Sequence, residues 1–164
     1  MTAEEPGVYP LHHPSDILPV MRSFAEQAIR TIDIFSQQLV PVLYGDDEFV
    51  SLLSALARRG PQTKVRILVR DPRQLYGRDH PLVVLAQRLP SHIQLRTCLE
   101  DNPETQMGFF CVDATHLVHF LDEPNLGGYA RHGARAESRQ LLGEFEHLWT
   151  YGSKVDSNLS RLSL

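Results

Sequence analysis

The sequence predicts an α/β fold: a mixed central sheet flanked by helices. Three observations predict it. Segments with apolar residues at helical spacing alternate with short β-branched or aromatic runs. One of those runs, Val65 to Val69, is apolar almost throughout, as expected of a strand covered on both faces. Late in the chain two strand-like segments, Gln106 to Asp113 and His116 to Leu121, are joined by Ala114-Thr115, which is short enough for a hairpin.

The elements follow in order. Ser15 can cap a first helix that carries Leu18, Met21, Phe24, Ala25 and Ala28 on one face, with Asp16 suited to its first turn and Pro19 close enough to the start to be tolerated. Thr31 to Ser36 alternates as a strand. Asp46 or Asp47 caps a second helix with Phe49, Leu52, Leu53 and Leu56 as its apolar stripe, which Arg58-Arg59-Gly60-Pro61 stops. After Val65 to Val69, Asp79 and His80-Pro81 open a third helix carrying Leu82, Leu85, Ala86 and Leu89. His92 to Thr97 is a strand, the hairpin follows, and a long helix from about Ala134 to Trp149 closes the order. Helical crossovers make the early strands parallel and the hairpin adds an antiparallel pair.

The chain has 164 residues, one domain's worth, with formal charge −4, 42% hydrophobic and 22% charged residues, and two cysteines. Residues 1–14 read as a flexible N-terminal segment, 15–150 as the α/β domain and 151–164 as a C-terminal tail, loosely ordered or an arm onto a partner. No secretory signal and no apolar run of about 20 residues is present, so a cytoplasmic location without membrane contact is expected. Cys98 and Cys111 are then expected as buried free thiols. No Gly-x-Ser-x-Gly elbow, Walker loop or dinucleotide fingerprint occurs, and no cofactor is implied.

The pieces Ala28-Ile29-Arg30-Thr31-Ile32-Asp33-Ile34, Leu56-Ala57-Arg58-Arg59-Gly60 leading to Val65-Arg66-Ile67-Leu68-Val69, and Phe145-x-x-Leu148-Trp149 stand in a particular order. That order, over roughly Ala25 to Trp149, resembles one half of the phospholipase D superfamily. The resemblance implies an α/β unit ending in a hairpin and a long helix, and a lone half that pairs with a second as a homodimer. Members that cut phosphodiesters use His-x-Lys and, after four more residues, Asp, with His as nucleophile and Lys as phosphate clamp. In the fitting strand Gln106 stands for the His, Gly108 for the Lys, and Asp113 is in register. A carboxamide cannot form the covalent phosphoryl intermediate that imidazole can, and no His-x-Lys occurs elsewhere in the chain. The turn Gly127-Gly128 before Tyr129 is similar to the family's small-residue turn but lies farther from Asp113 than usual. The expectation is a non-catalytic domain that acts by binding a protein partner or a phosphate-bearing polyanion. The alternative is a hydrolase with an altered site near Asp71, His80, Gln106 and Asp113.

Ligand sites in parallel sheets lie beyond the carboxyl ends of the strands. That rule selects Ser36 and Gln37, Arg70 and Asp71, and the loop after Thr97; His80, which follows the Asp71 loop on the same edge, and Asp113 join them as ligand-binding candidates. Between Arg58 and Arg96 lie nine basic and two acidic residues, net +7, against −11 for the remainder. Arg58, Arg59, Arg66, Arg73 and Arg78 are the candidates for binding a polyanion, nucleic acid included, or else a solvated face partly paired with Glu100, Asp101 and Glu104. Tyr76 is the one aromatic in the segment, which argues against a base-stacking platform. His116 and His119 are three apart on a strand, which sends them to opposite faces and argues against a metal site.

Overall fold

A computed structural model of the chain describes residues 8–99 and 104–160. Eight strands form one sheet: β1 (Val8–Leu11), β2 (Thr31–Ser36), β3 (Lys64–Val69), β4 (Ile93–Cys98), β5 (Gly108–Val112), β6 (His116–Asp122), β7 (Gly127–Arg131) and β8 (Ser153–Lys154). Their order across the sheet is β1-β7-β6-β5-β2-β3-β4-β8. Strands β2, β3 and β4 are parallel to their neighbours among these three, and the other pairings are antiparallel. The mixed sheet flanked by helices is therefore the observed architecture.

The period of two along each strand sorts side chains onto two faces. On one face Ile32, Ile34, Val65, Ile67, Phe110, Val118 and Phe120 pack under α1 (Pro14–Gln27), α2 (Pro41–Tyr44), α3 (Asp47–Ala57) and α4 (Pro81–Arg88). On the other, Phe35, Leu68, Phe109, Cys111 and Leu117 pack under α5 (Arg135–Tyr151), whose anchor is the buried Phe145. Asp33 and Arg66 share this second face. Arg66 donates to Asp33 at 2.8 Å, also pairs with Glu146 of α5, and lies over the Phe145 ring at 4.9 Å. Burial outweighs the arginine and pushes the Asp33 carboxyl up. Among the described residues no helix is long and apolar enough to cross a membrane.

Several segments differ from the sequence expectation. Val8–Leu11, expected in a flexible segment, pairs with β7 as an edge strand, where Pro10 is tolerated. Helix α1 starts two residues earlier, with His13 as N-cap in place of Ser15 and Pro14 in the first turn. His80 caps α4 in place of Asp79: its Nδ1 accepts from the Leu82 N–H at 3.1 Å. Gly127-Gly128 is not a turn but the start of β7. A Cβ at Gly128 would stand 2.1 Å from the His119 carbonyl oxygen, so glycine is what lets β7 close on β6. From the expected tail, Ser153–Lys154 adds β8 beside β4, and Leu159 is buried in the core. Cys98 and Cys111 are free thiols, Cys98 half-buried and Cys111 buried, and burial pushes the Cys111 thiol up to about 11.

Register defines two edges. At the carboxyl edge, where β2 and β3 end, Ser36 is level with Val69. At the amino edge, where they begin, Thr31 is level with Lys64, Ile32 with Val112, and Val112 with His116.

Candidate functional site

Strands β2 and β3 deliver Ser36, Gln37, Arg70 and Asp71 to the carboxyl edge. The Arg70 N–H donates to the Ser36 carbonyl at 3.0 Å and the Asp71 N–H to the Gln37 carbonyl at 2.8 Å. His80 joins them by donating from Nε2 to the Leu39 carbonyl at 2.8 Å. With Nδ1 accepting from Leu82, both ring nitrogens are committed, and burial lowers the imidazole's affinity for a proton. His80 is thus a neutral helix cap, with no free nitrogen for general-base work. Beside it, Gln38, Leu39, Gln74, Arg78 and Asp79 line a cleft of about 310 Å³.

The part of the site that the sequence reading missed is Glu123. Strand β6 ends at Asp122, and a single 3₁₀ turn over Glu123–Asn125 swings the Glu123 side chain inward across the ends of β5 and β2. Its Oε1 accepts from the Ser36 hydroxyl at 2.8 Å and the Gln37 N–H at 2.7 Å, while the Gln37 amide donates to the Met107 carbonyl at 2.7 Å. The Glu123 N–H donates to the Gln106 carbonyl at 2.9 Å. Oε2 is buried without a hydrogen-bond partner among the described residues. Burial outweighs the bonds from Ser36, Gln37 and Gln38 and pushes the carboxyl up to about 7. The hydroxyl of Tyr44, also buried and without a hydrogen-bond partner among the described residues, is pushed up by its own burial and by this carboxylate.

Gly108 faces this carboxyl. A Cβ there would lie 2.0 Å from Glu123 Oε2 and 2.8 Å from the Phe35 carbonyl oxygen. Glu123 therefore fills the space into which any side chain at position 108 would project. A glycine inside a strand pattern signals such a close approach. That signal was present in the sequence, but the approaching residue was not identifiable from it.

Asp113 is not part of this site. It lies at the amino edge, the length of β2 away, about 16 Å at strand rise. There Oδ2 accepts from the Ile29 N–H at 2.8 Å, and Oδ1 from Arg30 and Thr31 at 2.8 and 2.9 Å. The hydrolase grouping of Asp71, His80, Gln106 and Asp113 accordingly does not converge within one chain.

The five arginines chosen as polyanion contacts also separate. Arg58 and Arg59 stand at the amino edge, Arg58 on Ser54 and Arg59 on the Ala28 carbonyl. Arg66 is enclosed by Asp33, Glu146 and the α5 aromatics. Arg73 and Arg78 are at the carboxyl edge, and Arg73 folds back on Asp71, at 2.8 and 2.7 Å, holding that carboxyl below its usual range. Arg70 lies over Phe35 at 5.2 Å, with Nε buried and without a hydrogen-bond partner among the described residues. Of the acidic loop, Glu100 and Asp101 lie outside the described residues. His116 and His119 do point to opposite faces: His116 stacks on His132 at 4.0 Å between ring centroids, while His119 meets Tyr129 and Glu137.

Among solved structures the chain is similar to TrmBL2, an archaeal chromatin protein whose structure shows a novel mode of DNA binding. The TM-score is 0.65 and the identity 12%, over 94% of this chain and 57% of that one. It is also similar to NucT from Helicobacter pylori, with TM-score 0.64 and 9% identity, over 88% of this chain and 95% of that one. At such identities the likeness is one of fold. No curated protein matches the sequence. Residues 13–162 match the family model described as Domain of unknown function (DUF7931), and the chain belongs to that family.

Proposed function

We propose that this is a non-catalytic phospholipase D-like domain, working as a homodimer, that acts by binding a phosphate-bearing polyanion. The fold shared with NucT is compatible with that superfamily. The observation that carries the non-catalytic part of the reading is the Gly108–Glu123 contact. Where the superfamily's lysine would hold a phosphate, this chain places a buried carboxyl, which above its pKa repels the anion. Gln106, at the nucleophile's position, supplies no imidazole. His80, the nearest histidine argued for catalysis, is committed on both nitrogens.

The expected result is no release of nitrophenolate from bis(p-nitrophenyl) phosphate above the buffer rate, with light scattering giving twice the 18.6 kDa chain mass. Turnover that changes in Gln106→Ala or Glu123→Gln would overturn the non-catalytic part. A monomer at micromolar concentration would overturn the dimer.

A further inference from the structure

We infer that the amino edge of the sheet docks the phosphate backbone of double-stranded nucleic acid. This names the polyanion of the binding reading and rests on it, but it places the contact at the edge opposite Glu123.

The topology brings to that edge cations that are far apart in sequence. Arg30 precedes β2, Arg58 and Arg59 follow α3, and Lys64 opens β3. Arg135 and Arg139 occupy the first two turns of α5, which starts beside the same edge because β7 runs back to it, Arg131 being level with Leu117. All six are exposed. From Lys64 on β3 to the β7–α5 junction the row crosses four strand spacings, about 19 Å. A duplex presents about eleven phosphate charges over that length.

The carboxylates along this edge are mostly committed. Asp113 has both oxygens on the backbone N–H groups of residues 29–31. Glu146 is held by Arg66, and Glu137 by Tyr129 and Arg131. Glu26, exposed in the last turn of α1, is the acid a passing backbone has to skirt. Between α5 and the hairpin turn lies an open cleft of about 570 Å³, lined by Arg66, Arg135 and Arg139 with Asp113 and Glu146. It is roomy enough for a phosphodiester.

The chemistry selects the partner. Five of the six cations are arginine, whose planar fork binds phosphate in bidentate fashion. Among the described residues the accessible aromatics at this edge are Tyr9 on β1 and the stacked His116–His132 pair, too few to seat a run of single-stranded bases, whereas a duplex backbone needs none.

The test is fluorescence anisotropy of a labelled 20-base-pair DNA duplex and of its single strand, from 50 to 300 mM NaCl. The wild-type chain is expected to prefer the duplex, with log Kd rising against log salt at a slope of about 4, the value for four to five phosphate contacts. Arg135→Gln with Arg139→Gln should weaken binding at 100 mM salt by at least tenfold and lower the slope by about 2. Arg73→Gln with Arg78→Gln, on the carboxyl edge, should leave both unchanged. All four residues are exposed, and unchanged thermal melting checks that the folds are intact. No duplex binding at 50 mM salt, a preference for the single strand, or an equal loss from the carboxyl-edge pair overturns the inference. Those failures leave the non-catalytic reading standing, since phosphodiester turnover is what overturns that.

Discussion

Asp113→Ala is expected to lower the free energy of unfolding by about 3 kcal/mol, read as a fall in the urea midpoint at unchanged slope. Three consecutive backbone N–H groups, of Ile29, Arg30 and Thr31, converge on this one carboxylate. Charge-assisted bonds of this kind contribute about 1.5–3 kcal/mol each when buried, and less here, because the Ile29 and Arg30 bonds are exposed and water replaces part of what is lost. Two further demands act on the same residue. Asp113 and Ala114 both have left-handed backbone, φ 52° and 53°, and the Thr115 N–H closes on the Val112 carbonyl at 2.9 Å, as in a type I′ turn. Aspartate tolerates that conformation better than alanine does. Asp113→Asn should therefore cost less than Asp113→Ala: it keeps the turn and one acceptor oxygen but sets an amide N–H against that of Ile29. Equal midpoints for wild type and Asp113→Ala would mean that the carboxylate does not tie the α1–β2 junction to the hairpin.

Asp113 also illustrates what was legible in the sequence. The hairpin that carries it was visible. The partners of Asp113 were not, because the N–H groups of residues 29–31 carry no side-chain signature and lie more than 80 positions away. The same division runs through the fold. The apolar alternations of β2 and β3, the stripe of α3 and its Asp46 cap, which accepts from the Phe49 N–H at 3.0 Å, are local features, and periodicity exposes them. Strand β7 begins Gly-Gly, a pattern that reads as a turn, and its reason lies in the backbone of β6. Strand β8 is two residues long, and β1 contains a proline; both exist only because a neighbouring edge was free to pair. Rules of α/β topology selected Ser36 and Gln37, which the fold places at the carboxyl edge. They could not select Glu123, which reaches the site from an antiparallel strand to which that rule does not apply.

Glu123 should make the stability of the protein fall as the medium becomes more alkaline, and Glu123→Gln should remove that fall. The folded-state pKa of about 7 lies above the 4.5 of an ordinary glutamate, so between these values the native state holds a proton that the unfolded chain releases. With the native state binding more protons, unfolding free energy declines as pH rises through that window, by roughly 3 kcal/mol once both pH limits are passed. Asp33, also raised by burial, adds a decline in the same direction. His80, lowered by burial, acts oppositely: it stays neutral in the fold while the unfolded imidazole takes a proton below its usual pKa, so its contribution is lost as pH falls. The wild-type profile is thus a sum, and the difference between wild type and Glu123→Gln isolates the one carboxyl. The amide keeps an oxygen for Ser36 and Gln37 and carries no charge to desolvate. The variant is therefore expected to gain on the wild type steadily from pH 5 to 8, with the whole difference reached above pH 7. Parallel urea midpoints for the two proteins across that range would show that the carboxyl is solvated in the native state. In that case Gly108 would be free to accept a side chain, and Gly108→Ala, which the Glu123 and Phe35 contacts make costly, would be tolerated.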